Sequence, residues 1–361
     1  MAATLGGSTF TPTSNRASIA SIGLSIVTAF CTAMACGGDT PDEADSGGSA
    51  ETGLNSVGGG DGGSDGLTIK LDIGAASDLG QSDYNCDAVD FLFVIDNSSS
   101  MAREQMRLIE STPEFTASIL TALPNVSDVR VGVVDTDSYP ALGADNPLDG
   151  CPEGRADCES CDYALGALLT KPLSAEDPGS DCGLPEGQPW MDSASDAFGE
   201  QFACVAEVGT GGNQVEQQAG ALVNALSPTM LDGGCNDGFL REEALLIILV
   251  ISDEEDNNAQ PPEPQGGSAG DPADWVDAIV AAKGGIPQNV VTLGLIGGAP
   301  VFSGCDDPGG EQGAEASPRL QELLESFDTN FVSSVCADDY VAFFDDALNA
   351  VADGCEQFVS G

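Results

Sequence analysis

Val89-Asp90-Phe91-Leu92-Phe93-Val94-Ile95-Asp96-Asn97-Ser98-Ser99-Ser100-Met101 is the stretch whose reading decides the fold. Its first seven residues, interrupted only by Asp90, form an apolar run of strand length, rich in β-branched and aromatic side chains. That is the pattern of a strand buried on both faces of a parallel sheet. Asp96 then leaves the sheet at its carboxyl end, where open α/β sheets gather their ligands. A carboxylate followed at two-residue intervals by Ser98 and Ser100 offers hard oxygen donors from one short loop, the kind Mg²⁺ or Mn²⁺ prefers. The same residues also suit a turn that caps the next helix, so this loop alone leaves both readings open.

Further along, 244–251 is the most apolar run after the N-terminal segment, and it predicts a central strand. It ends in Ser252-Asp253-Glu254-Glu255-Asp256. Between the two runs the pattern predicts a helix over 102–123, broken or kinked at Pro113, and a strand over 129–134 that ends at Asp135-Thr136-Asp137. A Gly-, Pro-, Asp- and Cys-rich insertion follows over 138–194, with an edge strand expected at 163–169. Helices are expected at 195–208 and 214–226, separated by Gly209-Thr210-Gly211-Gly212. The remainder alternates: helix 272–283, strand 290–296, helix 317–327, strand 331–335, helix 338–352. Such alternation implies right-handed crossovers and an α/β fold with a doubly wound, mostly parallel sheet and helices on both faces.

Composition narrows the function. Lys and Arg number 10 against 59 Asp and Glu, a formal net charge of -49, which disfavours nucleic acid and anionic lipid and gathers divalent cations. The chain has no histidine, which removes every catalytic arrangement built on imidazole. Arg16 precedes a small and apolar run over 17–35, and Ala33-Met34-Ala35 stands before Cys36. Residues 1–35 therefore read as an export signal that resembles a bacterial lipobox, with lipid on Cys36 tethering the chain to the cell envelope; an uncleaved anchor is the alternative. Residues 36–66 read as an acidic Gly/Ser-rich linker, and 67–83 as a further edge strand at the start of the main domain, 67–361. Of twelve cysteines, removing Cys31 with the signal and Cys36 with its lipid leaves ten, enough for up to five disulfides. Cys158-x-x-Cys161 then reads as part of that stapling rather than as zinc ligands, for which no histidine is available.

Three loops carrying hard oxygen donors leave one end of the predicted sheet, and together they resemble the metal-ion-dependent adhesion site (MIDAS) of von Willebrand factor type A (vWA) domains. Asp96, Ser98 and Ser100 match the first motif, D-x-S-x-S. Thr210, with Thr136 as a rival, matches the second-loop threonine, and Asp253 the third-loop aspartate. The resemblance covers 87–358. It implies a divalent cation, Mg²⁺ first and Ca²⁺ or Mn²⁺ next. It also implies a protein or glycan ligand that completes the coordination through an acidic side chain, and no catalysis. The chain departs from the family in its long insertion and in Glu254-Glu255-Asp256, where glycine commonly follows the aspartate. Those acids read either as a solvated charge run or as further metal-site residues. Two other functions remain open: a structural envelope or scaffold component with a vestigial metal site, and a hydrolase using Glu254 or Glu255 as base.

Overall fold

The computed structural model describes residues 86–122, 126–137, 160–173, 180–212, 216–256, 267–298, 300, 302, 305 and 313–360. The expected signal, linker and strand at 67–83, and much of the insertion, lie outside the described residues. In chain order the elements are β1 (Ala88–Ile95), α1 (Ala102–Ala122), β2 (Asp128–Asp135), β3 (Met191–Asp192), α2 (Phe198–Val205), α3 (Gln218–Ala225), α4 (Pro228–Leu231), β4 (Leu245–Ile251), α5 (Pro272–Ala282), β5 (Val290–Ile296), α6 (Pro318–Glu325), β6 (Asn330–Ser334) and α7 (Val341–Gln357).

They build one six-stranded sheet in the order β3-β2-β1-β4-β5-β6. Every neighbouring pair is parallel except β2 with β3. The expected α/β class and doubly wound sheet are present. Every residue of β1, β4 and β5 is buried, because alternate side chains enter two separate layers. Phe91, Phe93 and Ile95 pack with Leu108 and Phe115 of α1, Phe202 of α2 and Phe344 of α7. Phe115 is the hub of that layer, 4.4 Å from Phe344 and edge-on to Phe91 at 5.9 Å between ring centres. Leu92 and Val94 face the other way, toward Leu222 of α3, Ile279 of α5 and Leu323 of α6.

Topology places the functional rim. The strand order reverses between β1 and β4, which lie side by side with Ile95 opposite Ile251. Ile95 also stands opposite Asp135 at the end of β2. The residues following β1, β2 and β4 therefore emerge together at a switch point of the sheet.

Some expectations need correction. α1 runs unbroken through Pro113, with the hydroxyls of Ser111, Thr112 and Thr116 bonded to carbonyls in its turns and Phe115 and Ile119 anchored in the core beyond it. No strand forms at 163–169. Ser160–Tyr163 is a 3₁₀ turn, Gly166 turns at φ 79°, and a single ladder-like bond joins Leu169 N to the Val133 carbonyl at 2.8 Å. The edge strand is the two-residue β3, antiparallel to β2. Four disulfides join described cysteines: Cys86–Cys355, Cys161–Cys235, Cys182–Cys204 and Cys305–Cys336. Cys161 is thus committed to Cys235, against any zinc reading of Cys158-x-x-Cys161; Cys151 and Cys158 lie outside the described residues. α7 extends beyond the expected 352 to Gln357, which carries Cys355 to its bond with Cys86 at the start of β1.

The buried acid of β1 is compensated on the spot. Asp90, fully buried, accepts from Arg241 N at 2.7 Å, Nε at 2.9 Å and Nη2 at 2.7 Å. Lys283 Nζ then binds the carbonyls of Arg241 at 2.6 Å and Ala244 at 2.7 Å. Burial still pushes the Asp90 carboxyl above its ordinary value, so the arginine does not fully offset desolvation. Arg241→Leu strands that carboxylate and is expected to cost about 3–5 kcal/mol in denaturant unfolding, with Asp90→Leu in the same chain recovering part of it. A single-variant loss under about 1 kcal/mol would contradict this assignment.

Candidate metal centre

Asp96 is the best-held side chain on the rim. Its backbone N–H continues the ladder to the Ile251 carbonyl at 3.0 Å, and its side chain is fully buried. Oδ1 accepts from Ser98 N at 2.8 Å, and Oδ2 accepts from Ser252 Oγ at 2.6 Å. Ser252 has one hydroxyl proton and gives it to Asp96, so Gln218 Nε2, 2.9 Å away, is the donor in its own bond to Ser252. Gln105 Nε2 ties the Asp96 carbonyl, at 2.9 Å, to the Gly209 carbonyl, at 2.6 Å.

The two motif serines and the third-loop aspartate form a row of oxygens beside it. Ser98 Oγ lies 3.0 Å from Ser100 Oγ, and Ser100 Oγ donates to Asp253 Oδ1 at 3.2 Å. Ser98 occupies the N-cap position of a 3₁₀ turn, Ser99–Met101, yet its side chain makes no capping bond. The helix-cap reading therefore fails for Ser98, while Asp96 does close a local turn through Ser98 N.

Thr210 lies in a loop docked on Gln105 and Asn97. Gly209 is held by Gln105, and Gly212 N donates to the Asn97 carbonyl at 3.0 Å. A Cβ at Gly212 would lie within 2.6 Å of Asn97, so only glycine permits this approach. Thr210 itself is exposed, and it is not the cap of α3, a place taken by Gln217. The structure thus brings Asp96, Ser98, Ser100 and Asp253 into one hydrogen-bonded group, while the loop carrying Thr210 is held through Gly209 and Gly212 at Gln105 and Asn97. The rival Thr136 is fully buried and gives its hydroxyl to the Glu216 carboxylate.

The reading of Glu254-Glu255-Asp256 as a solvated charge run is corrected for two of the three. Glu255 Oε2 accepts from Arg319 N at 2.9 Å, in the first turn of α6. Asp256, fully buried, accepts from Ala219 N at 2.8 Å, in the first turn of α3, and from Ser268 N and Oγ at 2.6 Å each. Carboxylates are favoured at helix N-termini, and these two fix the course of the third loop. Glu254 remains half-buried beside Asp96 and Asp253.

Four acids at the rim hold their protons unusually tightly. Burial pushes Asp253 up to about 7, with the Asp96 charge adding to it, and does the same to Glu254, also to about 7. Glu216 rises to about 10 by burial and the nearby Asp96, despite the Thr136 hydroxyl. Asp96 is raised as well, chiefly by burial. Among the described residues no lysine or arginine pairs with any of these four. Glu216, Ser252, Asn97 and Asp137 were not expected here from sequence as site residues; only the strand-end triplet Asp135-Thr136-Asp137 pointed to this corner.

The sign of the pH effect follows. Each acid binds its proton more tightly folded than unfolded, so the stability it contributes is complete below about pH 4 and is lost as pH rises through the folded value. For Asp253 and Glu254 that window closes near 7. In chelator-treated protein, Asp253→Asn is expected to flatten the fall in melting temperature between pH 5 and pH 8. Parallel profiles for wild type and variant would contradict the shift.

No protein-family model matches the sequence, and no curated protein does either. Among solved structures, proximal thread matrix protein 1 from the mussel byssus aligns at 12% identity over 74% of this chain and 49% of that one, with a TM-score of 0.36. A second structure of that protein gives 11% identity, 74% and 48% coverage, and a TM-score of 0.37. A von Willebrand factor type A protein from Catenulispora acidiphila aligns at 11% identity over 75% of this chain and 43% of that one, with a TM-score of 0.36. This chain spans less than half the length of each. Alignments this loose leave the fold resting on the strand order and register described above.

Proposed function

We propose that this is an exported protein, anchored to the bacterial cell envelope by lipid on Cys36, whose vWA-like domain binds a protein or glycan ligand through a divalent cation. The observation that carries the proposal is the row Ser98, Ser100 and Asp253, hydrogen-bonded at the switch point with the Asp96 carboxylate beside it. Two hydroxyls and two carboxylates are a hard oxygen donor set, which fits Mg²⁺ first and Ca²⁺ or Mn²⁺ next. The raised proton affinity of four acids without a cationic side chain among the described residues agrees with a place that wants positive charge.

In this reading Ser98, Ser100 and Asp253 would hold the metal, Asp96 would act from beside them, and Thr210 would approach from the second loop. Bound there, the cation supplies an electrophilic point of attachment for a carboxylate of the partner. The serines matter because they are neutral: they ligate without cancelling the charge that the partner is to meet. Ser252 and Gln218 keep Asp96 in one orientation, which is the work of an outer shell around a metal site. A chain of net charge -49 repels an acidic partner at long range, so attraction would be confined to this one point, within a screening length of about 8 Å. We read the protein as a binder rather than an enzyme: Glu255 is engaged at the start of α6, and among the described residues no nucleophile is paired with the Glu254 carboxylate.

Isothermal titration of the full-length, disulfide-intact chain with Mg²⁺, Mn²⁺ and Ca²⁺ tests this. Binding is expected, is lost when Ser98→Ala and Ser100→Ala are combined, and weakens roughly 10–100-fold with Ser252→Ala. Absence of binding, or binding unchanged by the paired serine replacements, would overturn the metal reading and leave the scaffold alternative.

A further inference from the structure

The row of oxygens opens to solvent at its Ser100 end: Ser98 is 3% exposed, whereas Ser99 is exposed and Ser100 partly so. The 3₁₀ turn Ser99–Met101 runs directly into α1, so Arg103 stands one turn beyond Ser100, about 4.5 Å along the helix axis. Helical side chains lean back over the turn that precedes them, which directs Arg103 toward the opening and Met106, 55% exposed, toward Arg103. Among the described residues the Arg103 guanidinium holds no carboxylate; its neighbour Glu104 is taken by Arg107 at 3.2 Å. Arg130, Arg241, Lys283 and Arg319, by contrast, each hold a carbonyl or carboxylate of the fold. Nor does the helix gain from Arg103, because a cation in the first turn opposes the macrodipole. In a chain with 59 acids, a partly buried arginine left without one, at a place unfavourable for it, is available to a group from outside the fold.

We propose that Arg103, backed by Met106, anchors a second acidic side chain of the partner, so that the ligand is an acidic protein segment carrying two carboxylates two residues apart. The inference rests on the metal reading and narrows its ligand. One carboxylate completes the coordination at Ser98 and Ser100. In an extended segment the next side chain on the same face follows two residues later, about 7 Å away, within reach of a guanidinium one helical turn from Ser100. Arginine suits the task because its planar fork grips a carboxylate through two parallel N–H···O bonds. Met106, flexible and polarisable, covers an apolar side chain beyond the second acid. A glycan, mostly hydroxyl, gives Met106 little to cover. Cation and arginine together also give an acidic partner two points of attraction on a chain of net charge -49, both within a screening length of about 8 Å.

Fluorescence polarisation of two labelled peptides, one containing Asp-Ala-Asp-Ala-Leu and one Asp-Ala-Asn-Ala-Leu, tests this on the full-length, disulfide-intact chain in Mg²⁺, with metal binding checked by isothermal titration. Wild type is expected to bind the two-acid peptide about 3–10-fold more tightly than the one-acid peptide. Arg103→Gln is expected to abolish that ratio, and Arg103→Lys to restore part of it. If Mg²⁺ binds yet wild type shows no ratio, or Arg103→Gln keeps it, the anchor is wrong and the metal reading stands. If Mg²⁺ does not bind, the metal reading fails, and the Arg103-dependent ratio, measured in the same chain, decides the anchor separately. Oligogalacturonate that binds through Arg103 while neither peptide binds would overturn the assignment to a protein segment.

Discussion

Burying the Asp96 carboxylate at the end of β1 is the constraint on which the rim depends. A buried charge without partners is strongly unfavourable, so every oxygen must find a donor or a counter-charge. Ser98 N comes from the first loop, and Ser252 Oγ from the third. Gln218, just after the second loop, reaches Ser252 in turn. Satisfying one carboxylate therefore draws three loops together. Those donors are all neutral, and burial pushes the Asp96 carboxyl above its ordinary value.

The buried acids Asp90, within β1, and Asp96, just after it, show contrasting solutions. Asp90 receives an arginine fork, and a lysine fastens the backbone behind that arginine. Asp96 receives only neutral donors and faces further acids. The first arrangement is self-contained and structural. The second is locally unbalanced, in a chain whose cationic residues number only 10. Glu255 and Asp256 show that the imbalance is not mere acidity, since both are consumed at helix N-termini. Among the described residues the cluster around Asp96 has hydrogen-bond donors but no lysine or arginine partner.

The sheet was legible because β1 and β4 are apolar runs with no competing helical period, each stopped by a polar loop. Asp96, Ser98, Ser100 and Asp253 were legible for the same reason: each follows such a strand closely. Register was not legible; nothing in the letters says that Ile95 stands opposite Ile251, which is what makes the loops meet. β3 escaped because two residues carry no period, and 163–169 misled because its apolar alternation is interrupted by the positive-φ turn at Gly166. Glu216 escaped because it was placed inside a helix that in fact begins at Gln218. Glu255 and Asp256 looked like a solvated run because sequence does not show where helix N–H groups point.

Anomalous diffraction from crystals of the disulfide-intact chain grown with Mn²⁺ tests the central claim most directly. The account predicts a peak about 2.1–2.6 Å from Ser98 Oγ, Ser100 Oγ and an Asp253 oxygen, with the bond between Ser100 and Asp253 replaced by bonds to the ion. A rim that keeps that hydrogen bond while Mn²⁺ appears only elsewhere on the acidic surface would contradict it.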